Sequence, residues 1–235
     1  VGFEQIYAPF GYDQAFSRDS FSLSYVAEPV EDLWIIGLDP CLYDFNDPLG
    51  HAETDGEFED GTLRWLAEVL NSPGARGKTR IAMMHHGVVE HHGGQEKFFG
   101  PYLVNEYKKI SRLLADHNVK VVFTGHYHSN DIAMKKWNDG SVLYDVETGS
   151  LVTYPCPIRK VQIQGDTMKI ETMRIRSIPS NRINFQEYAR KYVEEGVTGI
   201  AEQTLLDMNL RPGDAEKLGS QVGMAFSAHC AGDEV

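Results

Sequence analysis

Two short runs of apolar and β-branched residues flank a segment with helical periodicity, and this strand–helix–strand pattern constrains the fold more than anything else in the chain. The runs are Thr79-Arg80-Ile81-Ala82-Met83-Met84 and Val119-Lys120-Val121-Val122-Phe123-Thr124. Between them, in the segment Tyr102 to His117, Leu103, Tyr107, Ile110, Leu113 and Leu114 recur at spacings of three and four. A βαβ unit of this size joins strands that run parallel. Parallel strands finish at the same edge of a sheet, where open α/β sheets place their ligands.

Both runs finish in histidine. His85-His86-Gly87 follows the first, and Gly125-His126-Tyr127-His128 follows the second. Topology therefore predicts that His85, His126 and His128 meet at one sheet edge, although 41 residues separate His85 from His126. Imidazole is the commonest protein ligand for zinc, iron and related metals. A His-x-His pair alone is more often two solvent-facing loop residues. The addition of His85 at an equivalent strand end turns the expectation toward a metal site.

The flanking sequence extends the pattern. Ser20 to Glu28 alternates apolar and polar, and Leu33-Trp34-Ile35-Ile36-Gly37-Leu38 reads as a buried strand, the two forming a hairpin through Pro29-Val30-Glu31-Asp32. A long acidic, glycine-rich loop from Cys41 to Gly61 contains His51. Thr62 to Asn71 reads as an amphipathic helix halted by Ser72-Pro73-Gly74. Beyond His128, β-like runs at Ile132 to Trp137, Ser141 to Thr148, Ile158 to Ile163 and Met168 to Ile175 predict a second, antiparallel sheet. Phe185 to Glu195, Ile200 to Asn209 and Asp214 to Ala225 read as three helices that pack against the core, broken at residues 196–199 and 211–213.

Charge narrows the classes of function. A formal net charge of −12 argues against a nucleic-acid or anionic-membrane surface, because phosphate backbones need a basic footprint. It leaves a small anionic substrate open, since bound divalent cations can dominate a local field. No apolar run reaches 18 residues, so no membrane span is expected. The three cysteines, Cys41, Cys156 and Cys230, show neither metal-type spacing nor a disulfide framework, and the compartment stays open.

Ile81-Ala82-Met83-Met84-His85-His86-Gly87 followed by Val122-Phe123-Thr124-Gly125-His126-Tyr127-His128 resembles the last two metal motifs of the calcineurin-like metallophosphoesterases. That family includes purple acid phosphatases, class III cyclic-nucleotide phosphodiesterases and glycerophosphodiesterases. The resemblance covers residues 20 to about 175. It implies an α/β fold, a β-sandwich flanked by helices, of which residues 1–178 are the C-terminal part and residues 179–235 a helical extension. It further implies that His85, His126 and His128 hold part of a binuclear centre of two divalent or trivalent ions, iron, manganese or zinc. Such a centre activates water for the hydrolysis of a small phosphoester, a monoester, diester or cyclic nucleotide.

The family's earlier motifs, Asp-x-His, Gly-Asp-x-x-Asp and Gly-Asn-His, are absent from the sequence. The chain is therefore expected to be a C-terminal piece of a longer enzyme, whose N-terminal part supplies the missing carboxylates and asparagine. The fragment by itself is expected to turn over poorly. Other histidines divide by position. His86 is a candidate phosphate contact, and His91 and His92 are candidate substrate contacts on the loop leaving the first strand. His117 is placed to complement a helix dipole, His229 lies near the C-terminus, and Asn130 and Asp131 can orient the histidines or solvate a turn. Two alternatives remain open beside the phosphoesterase. One is a non-catalytic metal-binding or interaction module that keeps half the ligands; the other is a mononuclear zinc hydrolase on His85, His126 and His128.

Overall fold

Strand β4 (Thr79–Met83) and strand β5 (Val121–Thr124) pair in parallel, with Ile81 opposite Val121 and Met83 opposite Phe123. The pairing comes from a computed structural model, which describes residues 2–46, 50 and 52–232. The connection includes helix α4 (Tyr107–Asp116), whose buried face of Tyr107, Ile110, Ser111, Leu114 and Ala115 follows the spacing of the sequence pattern. His117 ends this helix and donates from Nδ1 to the carbonyl of Leu113 at 2.8 Å, capping a C-terminal carbonyl.

The remaining elements in chain order are α1 (Phe3–Tyr7), β1 (Ala15–Arg18), β2 (Tyr25–Val30), β3 (Leu33–Gly37), α2 (Asp60–Asn71), α3 (Gln95–Phe98), β6 (Ile132–Lys136), β7 (Val142–Glu147), β8 (Pro157–Gln164), β9 (Thr167–Arg174), α5 (Phe185–Asp207) and α6 (Pro212–Ala231). Seven strands form one mixed sheet in the order β1-β2-β3-β4-β5-β7-β6. Strands β3, β4, β5 and β7 are parallel neighbours, and the outer pairs are antiparallel hairpins. The expected hairpin of β2 and β3 is present, with Tyr25 opposite Gly37. Val26, Ile36, Ala82, Val122 and Leu143 are wholly inaccessible and form the core with Trp34, Leu66, Leu70, Ile110 and Leu114.

The second sheet differs from expectation. Only β8 and β9 make a separate antiparallel pair, while β6 and β7 extend the main sheet. The reason lies in β7, where Leu143, Asp145, Val146 and Glu147 are all buried; a strand covered on both faces belongs inside a parallel sheet. The β8–β9 ribbon instead leaves side chains such as Ile158, Ile163 and Met173 exposed.

The chain divides into two compact units. One runs to Tyr127 and resumes over Ile132–Glu147; the other comprises His128–Asp131 and everything from Thr148 onward. In the second unit Cys156, Phe185 and Ala189 form a small core with Tyr154, Ile175 and Ile178 beside it. Three expected helices are two, because α5 continues through Gly196 and Gly199. Small residues on α6 explain the close pairing. A Cβ built on Gly223 would lie 2.2 Å from Thr198 Oγ1 and 2.5 Å from the Glu194 carbonyl, so only glycine lets α6 approach α5 there. The end of α6 closes over residues 128–131: Ser129 Oγ donates to the His229 carbonyl at 3.3 Å, and Asn130 is wholly inaccessible. Among the described residues, no helix is long and apolar enough to cross a membrane.

Candidate metal centre

The parallel ladder delivers two histidines to the same point. Met84 N–H donates to the Phe123 carbonyl and Gly125 N–H donates to the His85 carbonyl, each at 3.0 Å, so β4 and β5 stay in register up to the residues of interest. One step later Tyr127 N–H reaches back to the Gly125 carbonyl at 2.9 Å. That bond closes a γ-turn with His126 at its centre and φ at +72°. A non-glycine residue in this region carries strain on the order of 1–3 kcal/mol, which persists only where the surroundings enforce it.

The turn aims His126 at His85. His85 Nε2 and His126 Nδ1 are 3.0 Å apart, with ring centroids at 4.4 Å. A backbone carbonyl settles the protons: Thr54 O accepts from His126 Nε2 at 3.1 Å and from His86 Nε2 at 2.9 Å. With its proton on Nε2, neutral His126 presents a lone pair at Nδ1, and His85 Nε2–H donates to it. The spacing suits a cation equally well. Two nitrogens bound at about 2.0–2.1 Å to one ion lie about 3.0–3.4 Å apart as adjacent ligands. Imidazole pairs of this kind fit zinc, iron or manganese. Among the described residues, no group of three or more His, Cys, Asp or Glu side chains is arranged to hold an ion. The described donors thus bring together two nitrogens, fewer than the three or four protein ligands of a zinc site.

His86 points inward. It is 2 % exposed, and its Nδ1 is buried with no hydrogen-bond partner. Burial pulls its pKa down, opposed by the Thr54 hydrogen bond and by the charges of Asp55 and Asp39. The fit against the loop is close, because a Cβ on Gly56 would sit 2.6 Å from His86 Nδ1. His128 opens the second compact unit, half-buried with φ at +59°, and burial lowers its pKa as well. In that unit a Cβ on Gly149 would meet its carbonyl at 3.0 Å. His51 lies outside the described residues.

The loop after β4 takes His91 and His92 in opposite directions. The His91 imidazole is buried, with Nε2 3.6 Å from Asp145 Oδ1 and 3.7 Å from Glu147 Oε2. His92 stays exposed, and its Nε2 pairs with the Tyr127 hydroxyl at 3.1 Å. Tyr127 and Tyr102 stack tilted at 4.7 Å, and Tyr102 also lies 4.8 Å from the His126 ring, forming an aromatic wall. Burial, with the Glu147 charge behind it, pushes the Tyr127 hydroxyl up to about 12 and keeps it a neutral donor at ordinary pH.

Several residues that matter here carry no motif. Thr54 acts through its carbonyl, which any residue type supplies. Asp145 and Glu147 sit at the inner face of β7, whose place beside β5 is a matter of topology. Asp39 follows β3, the third parallel strand in the row, and its position could have been read from the sequence had β3 been placed beside β4. A scan of the chain against protein-family models finds no match, and a search against curated proteins finds none either.

Proposed function

We propose that this chain carries part of the metal centre of a phosphoester hydrolase, with His85 and His126 as ligands and a metallophosphoesterase-type fold around them. The observation that carries the reading is the convergence of His85 Nε2 and His126 Nδ1 to 3.0 Å from two parallel strand ends. Bound metal ions would supply Lewis acidity, neutralising phosphate charge and lowering the pKa of water. The protein's own residues do the positioning. Thr54 O holds a proton on His126 Nε2 and so keeps the Nδ1 lone pair directed at the site. The γ-turn fixes the angle of that ring, and Tyr102 flanks it. His86, buried with Nε2 on the same Thr54 carbonyl, acts by fixing the loop that carries Thr54 rather than by meeting phosphate.

One observation favours a second reading, a metal-binding or interaction module without turnover: the described residues offer no cluster of three ligands. A single experiment separates the two. Metal content and hydrolysis of a generic aryl phosphodiester are measured for the full-length protein and for its His126→Ala form. The hydrolase reading expects bound metal and a rate at least 100-fold above the variant's; equal rates sink it. Bound metal with no turnover in either protein establishes the module.

A further inference from the structure

The backbone ladder that aligns β4 with β5 ends at the Gly125 N–H to His85 carbonyl bond, and something else must hold the two histidine-bearing exits beyond it. The side chain in that position is Asp145, on β7 and wholly inaccessible. Its Oδ2 accepts the backbone N–H of Val88 at 2.6 Å and of Val89 at 3.0 Å, three and four residues after His85. Its Oδ1 accepts the hydroxyl of Thr124, two residues before His126. One carboxylate therefore grips the exit of each strand, from a third strand that runs alongside β5.

We propose that Asp145 is a positioning residue for the histidine pair, acting through Thr124 on the γ-turn and through Val88 and Val89 on the loop behind His85. The physical case rests on strain and burial. The positive φ of His126 relaxes unless its neighbours are pinned. Thr124, 6 % exposed and hydrogen-bonded to a buried carboxylate, pins the strand immediately before the turn. Charge-assisted bonds of this kind are stronger than neutral ones, and a buried carboxylate with three donors is stiff. The buried His91 ring, with Nε2 3.6 Å from Oδ1, packs the same loop against this carboxylate. The inference rests on the metal-site reading above only for its purpose, not for its geometry.

The test spares Asp145 itself, whose removal would leave buried N–H groups unpaired. Thr124→Val keeps shape and loses the hydroxyl; Thr124→Ser restores it. Long-range proton–nitrogen NMR of the metal-free proteins reads the tautomers of His85 and His126, and Co²⁺ titration reads affinity. With the native protein and Thr124→Ser, His126 is expected as a single Nε2–H tautomer. With Thr124→Val, still folded by circular dichroism, the ring nitrogens are expected to average between tautomers and Co²⁺ affinity to fall 10–100-fold. A folded Thr124→Val with native ring-nitrogen shifts overturns the proposal, whatever the metal result. If the native protein binds no Co²⁺, the metal-site reading fails, and the NMR comparison still decides the clamp.

Discussion

At the scale of single residues, the site is shaped by groups that cannot be swapped for near equivalents. Gly56 is one. Its missing Cβ makes room for the edge of His86, whose Nδ1 would otherwise be 2.6 Å away. Gly56→Ala is therefore expected to push His86 off the Thr54 carbonyl, and overpacking of this kind costs about 1–3 kcal/mol. A urea titration should show a lower midpoint with an unchanged slope. Gly93→Ala, on the loop after β4 with nothing within 4 Å of its built Cβ, should leave the midpoint in place. An unchanged midpoint for Gly56→Ala would mean that the loop carrying Thr54 yields freely and does not fix the histidine tautomers. The same loop supplies one carbonyl to two imidazoles, so a shift of Thr54 is felt by His86 and His126 together.

At the scale of elements, the helical pair α5–α6 shows glycines in two opposite roles. Gly196 and Gly199 lie within α5 with open space where a side chain would go. Alanine at either site removes backbone freedom from the unfolded chain without a clash, and the expected gain is about 0.5–1 kcal/mol each. Gly223 faces Thr198 and Glu194, and alanine there would force the helices apart. Thermal melts should move up for Gly196→Ala and Gly199→Ala and down for Gly223→Ala; a rise for all three would disprove the close packing. These glycines also show what the sequence could and could not reveal. Gly196-Val197-Thr198-Gly199 reads locally as a break, and α6 lying against it overrides that local preference. The β4–α4–β5 unit was legible because its apolar periods match its elements, and with it the meeting of His85 and His126. Asp145 to Val88 spans 57 residues and His126 to Thr54 spans 72, bonds between a side chain and the backbone that leave no periodic trace.

At the scale of the molecule, the strands of the seven-stranded sheet and, among the described residues, the side chains of its main core all come from the chain up to Glu147. A protein ending at Glu147 is accordingly expected to retain a single cooperative unfolding transition and the near-ultraviolet dichroism of its buried Trp34. A non-cooperative melt would show that the sheet needs the second unit to fold. The order of strands has a further consequence during synthesis. Strand β5 pairs with β4, made before it, and with β7, made after it, while residues 128–131 belong to the other unit in between. From Thr124 to Glu147 a ribosome takes about 1–5 s at about 5–20 residues per second. For that interval the nascent sheet presents β5 as an open edge of Val121, Val122 and Phe123, ready to pair with a neighbouring chain. Translation speed over these residues, and whatever chaperone meets them, therefore bears on how much of the protein reaches its native sheet.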